Sequence, residues 1–299
     1  MLERFQVAWA CVQGKAHKKS QPPTPCQDSC TYGNLTDGIQ VAIVSDGAGS
    51  SANSHLASSF SVKRLYEVCD SRTALIQQLY EQIRANPGNE DAHRSSWSNL
   101  SKDMFLQTRT DLLEYGKNNG YDPSVLNCTL ILLLSTPAGI FSAHVGDGRA
   151  GCYNGKEVRP LIVPFMTFTA GATFFLIKEG WEQVFRANLV LDERIEYFFA
   201  STDGCQDFVI DHSAKGPRTG TYDAILGTEA FYDLNLPYHP FFEGTIKSLR
   251  EAQDSNERNR RLQELIDEGI YRLEGKETVL SSIASPLLDD DKTLILYFS

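Results

Sequence analysis

The chain has 299 residues, 41% of them hydrophobic and 22% charged, an ordinary globular composition with room for one large domain or two modest ones. No apolar run reaches the roughly 18 to 20 residues that span a bilayer, and no charged-then-apolar leader opens the chain, so neither a membrane protein nor an exported one is expected. With 28 Lys and Arg against 38 Asp and Glu, a net charge of −10, and no basic stretch interleaved with aromatics, nucleic acid is not an expected partner; the seven scattered cysteines hold no CxxC pair, which points away from a disulfide framework or zinc knuckle and toward a reducing cytoplasm.

In chain order, residues 5–12 read as a strand and the Pro-rich segment Gln21–Pro25 as a stiff loop. A short apolar run at 39–45 reads as a second strand. Apolar residues at helical spacing, Leu56, Phe60, Leu65 and Val68, then Trp97, Leu100, Met104 and Leu112, predict two long helices over 53–86 and 93–119. Residues 128–153 return to strands, 160–175 form an irregular stretch of Pro, Gly, Thr and Phe, and 183–201 hold a second strand group. Residues 241–274 read as helical and highly charged, and Leu294–Phe298 closes the chain as a strand. Strands, then helices, then strands again, with no internal repeat and no long linker, predict an α+β layered fold over residues 1–299 rather than alternating βαβ units.

Four aspartate-bearing runs share one setting. VAIVSDGAGSS puts Asp46 directly after a buried strand and before a Gly-rich turn, and IEYFFASTDGCQD repeats this for Asp203, with Gly204 and Asp207 behind it. LLDDDKTLILYF sets Asp289, Asp290 and Asp291 before the last strand, and IFSAHVGDGRAGCY places Asp147 in a Gly-flanked turn between two strands. Any one Asp-Gly pair is by itself a plain turn. Several acids at strand edges carry more information, because carboxylates brought together raise one another's pKa unless cations lie between them. An all-oxygen ligand set suits Mg²⁺ or Mn²⁺, and the His and Cys positions show no zinc spacing.

The ordered set QD at 27 and 28, SDGAG at 45–49, NCTLILLL followed by VGDGRAG, STDGCQD at 201–207 and DDKT at 290–293 resembles the PPM family, the type-2C metal-dependent serine/threonine protein phosphatases. The resemblance spans nearly the whole chain. It implies one domain with the family's four-layer α/β/β/α sandwich, two antiparallel sheets face to face with paired helices outside each. It further implies that Asp46 bridges two metals, that the Gly47 carbonyl binds one of them, and that Asp203 and Asp290 complete the protein ligands of the other. Asp28 matches the acid that acts through metal-held water. Asp147 and Asp207, with Asp203, match the positions that hold a third metal in many bacterial members, so two Mn²⁺ or Mg²⁺ ions are implied, or three.

This chain also departs from the pattern. Gln27 stands where many members have Glu, Ala48 where many have a His after Asp-Gly, and Pro23 where many have a phosphate-binding Arg. The nearest cationic or titratable groups are His17, Lys18 and Lys19: His17 is a candidate proton donor, all three are candidates for holding phosphate, and a solvated loop is the alternative. Ser50, Ser51 and His55 are open either to touching phosphate or to capping the following helix. A variable flap is expected near 155–182, where Phe165, Phe168, Phe174 and Phe175 either grip substrate or, more plainly, fill core. The reaction implied is hydrolysis of a phosphoserine or phosphothreonine ester of a protein substrate by a hydroxide held between two cations, in a monomeric enzyme without a phospho-enzyme. Gln27 and Ala48 leave open a binding module without turnover, and small phosphorylated metabolites are alternative substrates. The lack of a Gly-x-x-x-x-Gly-Lys loop argues against a nucleotide-driven transferase.

Overall fold

A computed structural model describes residues 4–36, 38–165, 173–212, 219–223, 228–232, 236–273, 276–279 and 289–299. The chain runs through β1 (Gln6–Val12), α1 (Lys15–Lys19), β2 (Ser29–Thr36), β3 (Ile39–Ser45), α2 (Ser54–Ser71), α3 (Thr73–Ala85) and α4 (Glu90–Asn118). There follow β4 (Leu130–Thr136), β5 (Gly139–Val145), β6 (Arg149–Tyr153), β7 (Val158–Pro160), α5 (Trp181–Val184), β8 (Arg186–Val190), β9 (Tyr197–Ser201) and α6 (Gln206–Val209). Then come β10 (Thr219–Asp223), β11 (Thr228–Tyr232), α7 (His239–Arg250), α8 (Ser255–Glu268), β12 (Ile270–Leu273), β13 (Lys276–Val279) and β14 (Lys292–Phe298). Two antiparallel five-stranded sheets dominate, ordered β1-β14-β9-β6-β7 and β2-β3-β4-β5-β8, beside two small hairpins, β10-β11 and β12-β13.

The period-2 alternation of strand side chains divides the core into three apolar layers, and so the protein into four structural ones. Ile39, Val41 and Ile43 of β3 and Leu130, Leu132 and Leu134 of β4 face α2, α3 and α4, where they meet Leu65, Ile76, Trp97 and Phe105. The alternate residues Ala42, Val44, Ile131 and Leu133 turn the other way and meet Cys152, Phe198, Ile295 and Tyr297 of the second sheet. Beyond that sheet, Ala8, Ala10, Leu294, Leu296 and Phe298 pack on Phe242, Leu249, Leu262 and Ile266 of α7 and α8. Because these strands are covered on both faces, they read as continuous apolar runs rather than as alternating ones. Two polar bonds fix the layers: the Tyr297 hydroxyl donates to the Val41 carbonyl across the inter-sheet core at 2.8 Å, and the Trp97 indole donates to the Ser142 carbonyl at 2.8 Å.

The expected α+β sandwich is thus the observed one, with local differences. The helix predicted over 53–86 is two, broken at Arg72, which sits between α2 and α3 without a Gly or Pro to announce it. The helical reading of 241–274 ends early, because Gly269 takes a left-handed conformation (φ 70°) and closes α8 before β12. Strand β2 is not among the expected strands: its sequence, SCTYGNLT, is polar because it is the edge of its sheet.

Register places the chemistry at one end of the sandwich. Ser29, which opens β2, pairs with Ser45, which closes β3; Leu130 opens β4 opposite Val145 at the end of β5. In the other sheet Ser201, at the end of β9, pairs with both Arg149 at the start of β6 and Leu294 near the start of β14. Hence Asp28, Asp46, Asp147, Asp203 and Asp290, each within a few residues of one of these strand ends, all emerge on the same rim.

Candidate metal centre

Asp46 is held from both sides by the Asn-Cys-Thr segment before β4. Its N–H donates to Thr129 Oγ1 at 3.0 Å, and the Thr129 N–H returns a bond to the Asp46 carbonyl at 2.8 Å. Gly47 N–H donates to the Gln27 carbonyl (3.1 Å) and Ala48 N–H to the Asn127 carbonyl (3.0 Å). A Cβ at Gly47 would lie 2.7 Å from backbone atoms of Ser54 and 2.8 Å from the Gln27 carbonyl oxygen, so only glycine lets this loop lie flat against the start of α2. Gln27 itself is buried beneath the loop, its Nε2 donating to Ser54 Oγ at 2.7 Å. In place of a further negative charge, the chain has an amide that fastens the Asp46 turn.

One carboxylate oxygen each from Asp46, Asp147 and Asp203 lies within 4.8 Å of the other two. Burial pushes the Asp46 carboxyl well above the usual carboxylate range, and the charges of Asp28, Asp203, Asp147 and Asp290 push it the same way. Asp147 is raised to about 7, first by burial and then by Asp203. Its Oδ1 is buried with no hydrogen-bond partner. An all-oxygen donor set, mutual repulsion and an orphaned carboxylate oxygen are together what a hard divalent cation would relieve, so the residues present fit such an ion.

Asp28 is buried, and its Oδ2 accepts a bond from Thr202 Oγ1 at 2.7 Å; Thr202 in turn accepts the Thr293 N–H at 3.0 Å. Burial raises its pKa well above normal too. Asp203 starts a short 3-10 turn at the end of β9. Gly204 behind it could carry no side chain, since a Cβ would sit 2.0 Å from the Asp291 carbonyl oxygen. Asp290 stands exposed on the rim with Oδ1 accepting the Asp291 N–H at 2.9 Å, and it lies outside the group of three. Asp207 is exposed and pairs with His212 at 3.0 Å, one residue short of a segment outside the described residues.

Asp291 is a residue whose role the sequence did not disclose. Its buried carboxylate accepts the N–H of Gly14 (Oδ1, 2.6 Å) and of Gln27 (Oδ2, 2.6 Å), and His17 Nδ1 lies 2.9 Å from Oδ1. It therefore ties both ends of the 14–27 segment to the start of β14 and turns His17 toward the acids. Lys18 points away to Asp267 of α8, 3.4 Å from its carboxylate, and Lys19 is exposed. Arg149 is buried and donates to the Asp147 carbonyl and to Gln206 Oε1 (2.8 Å), bracing the Asp147 turn against the Asp203 segment.

On either side of the undescribed residues 166–172, in the segment where a flap is expected, the chain is tied to the same rim: Phe165 N–H donates to the Gly146 carbonyl and Leu176 N–H to the Cys128 carbonyl, both at 2.9 Å. Phe165 belongs to the core and Phe174 packs edge-on against it, while Phe168 lies outside the described residues. Asn53, not Ser50 or Ser51, is the N-cap of α2, and Ser51 Oγ accepts a bond from Asn127 Nδ2 at 2.7 Å.

Residues 13–267 match the family model described as protein phosphatase 2C, and Asp290 lies beyond the end of that match. Among solved structures the chain is similar to serine-threonine phosphatase 2C from Toxoplasma gondii, with 11% identity, a TM-score of 0.58, and coverage of 98% of this chain and 94% of that one. It is likewise similar to the serine/threonine phosphatase Stp1 from Staphylococcus aureus, at 14% identity and a TM-score of 0.51 over 99% of this chain and 96% of that one. A bacterial serine phosphatase matches at 13% identity and a TM-score of 0.53 over 99% and 98%. No curated protein matches. At such identities the structural likeness speaks for the fold, and the family match for membership.

Proposed function

Because the chain belongs to the protein phosphatase 2C family of metal-dependent serine/threonine phosphatases, we propose that its rim of aspartates is the catalytic centre, acting on phosphoserine or phosphothreonine esters of proteins. The observation that carries this reading is the convergence of Asp46, Asp147 and Asp203, with an orphaned oxygen on Asp147. Asp46, the Gly47 carbonyl, Asp203 and Asp290 are assigned to hold two divalent cations, Mn²⁺ or Mg²⁺, with Asp28 acting through water. Asp147 serves the Asp46–Asp203 side, and a third ion would need Asp207 to leave His212. When bound, the cations supply Lewis acidity that acidifies water and offsets phosphoryl charge.

The protein's own part is positional. Thr129 locks the Asp46 turn, Thr202 orients Asp28, and Asp291 aims His17. With Ala48 in the chain, His17 is the group assigned to protonate the seryl leaving oxygen. Lys18 is engaged by Asp267, so of the two lysines Lys19 is the freer for phosphate. We place the enzyme in a reducing cytoplasm as a single-domain monomer. All seven cysteines are unpaired, and among the described residues no helix is long and apolar enough to cross a membrane.

The test is hydrolysis of a phosphoserine peptide by purified protein with Mn²⁺ or Mg²⁺ added. Turnover should stop in chelator and return with metal. Turnover that persists in excess chelator contradicts the proposal, and inactivity with every divalent ion makes the protein a binding module.

A further inference from the structure

Two thiols meet directly behind Asp28. Cys11 lies on β1 opposite Thr293 of β14, and Cys26 immediately precedes Gln27 and Asp28; their sulfurs are 3.7 Å apart. Both sulfurs face the Asp28 carbonyl oxygen, at 3.6 and 3.8 Å. Both residues, like Cys30, are partly exposed, whereas Cys69, Cys128, Cys152 and Cys205 are buried, so a small oxidant reaches these three thiols before the other four, and of the three Cys11 and Cys26 stand sulfur to sulfur. Cys11 is fixed in a ladder, but Cys26 sits in a stretch without regular structure between Gln21 and Asp28. Of the two, Cys26 is the one not held in a strand ladder. The same stretch carries the Gln27 N–H that Asp291 holds and the Asp28 carboxylate that Thr202 holds.

We propose that Cys11 and Cys26 are a modification site at which a hydroperoxide forms a reversible disulfide that weakens the adjacent metal centre. This regulatory role rests on the phosphatase reading of the aspartates. In the first step one thiol attacks the peroxide O–O bond, giving a sulfenic acid and releasing water. In the second the other thiol attacks that sulfur and expels a second water. In sum, two thiols and one H₂O₂ become one disulfide and two H₂O; a dithiol reductant reverses the change by exchange. Closing the sulfurs from 3.7 Å to a bond of about 2.05 Å draws Cys26 toward β1 and takes Gln27 and Asp28 with it.

The experiment treats the full-length protein with stoichiometric H₂O₂, blocks the remaining thiols, and maps disulfides by peptide mass spectrometry. Mn²⁺ affinity is measured by calorimetry and phosphopeptide turnover by phosphate release, before and after dithiothreitol. A Cys11–Cys26 linkage should appear, Mn²⁺ affinity should fall on the order of tenfold, as when an outer-shell support is lost, and dithiothreitol should restore both readouts. Cys11→Ser and Cys26→Ala should each keep the reduced protein's Mn²⁺ affinity and lose the peroxide response. No linkage between these two, a linkage that leaves Mn²⁺ affinity unchanged, or a response that survives in both variants would overturn the proposal. A reduced protein that binds Mn²⁺ but never turns over would instead count against the phosphatase reading, while linkage and affinity would still judge the switch.

Discussion

Asp147→Asn offers a quantitative test of whether the aspartate rim is built for cations. In the metal-free protein the Asp147 carboxyl is raised from 3.8 to about 7, first by burial and then by Asp203. An acid whose folded-state pKa lies above its unfolded value leaves stability intact below the unfolded pKa, and that stability is lost as pH rises through the folded one, here between pH 3.8 and about 7. At about 1.36 kcal/mol per pKa unit the gap is worth ~4 kcal/mol above that window. Because an amide at this position still bears part of the burial cost, the substitution should recover about half, ~2 kcal/mol. Asparagine keeps the shape of the turn and the Arg149 bond to the residue 147 carbonyl. Urea unfolding in excess chelator, from pH 4 to pH 8.5, should therefore show the variant ~2 kcal/mol more stable than the parent at pH 8 and equal to it near pH 4. Saturating Mn²⁺ should reverse the order, since the parent alone keeps the ligand. A variant equally or less stable than the parent at pH 8 without metal would refute the reasoning.

Three further outcomes are expected. Asp291→Ala leaves the Gly14 and Gln27 N–H groups buried without an acceptor, so the chelated protein should lose about 3 kcal/mol in urea unfolding; a loss under about 1 kcal/mol would show that the clamp is idle. His17→Ala should slow phosphoserine hydrolysis far more than aryl phosphate hydrolysis, whose leaving group needs little protonation, and equal rates on both would remove His17 from the chemistry. Asp207→Ala should preserve the tight calorimetric Mn²⁺ events and abolish only the weakest; an unchanged titration would leave a two-ion centre.

The strands and helices were legible where burial governs the sequence. β3 is expected at 39–45 and observed at Ile39–Ser45, because a strand covered on both faces is apolar over most of its length. β2 was lost for the opposite reason, as an edge strand can be polar throughout. The break at Arg72 is invisible in the sequence because no Gly or Pro marks it, whereas Gly269 does mark the end of α8 but lies in a charged run that reads as continuously helical. At the site, the acids stood out because Asp-Gly after an apolar strand is a rare way to finish one so many times. Their supports did not. Thr129, Thr202 and Asp291 act through hydrogen bonds to backbone or carboxylate, a role open to many residue types, and nothing in Asp289-Asp290-Asp291 says which acid faces the rim and which is buried as a clamp. The pairing of Cys11 with Cys26 was likewise hidden, since neighbouring elements, not sequence spacing, bring the two thiols together.

Whether Asp46, Asp147 and Asp203 hold divalent cations is decided by anomalous diffraction from crystals soaked in Mn²⁺. A Mn²⁺ peak should stand within bonding distance, about 2.2 Å, of an Asp46 oxygen and be shared with Asp203 or Asp147, and it should be lost in Asp46→Ala crystals that keep the fold. Well-diffracting crystals of the parent protein with no Mn²⁺ peak among these three carboxylates at saturating metal would contradict their role as cation ligands.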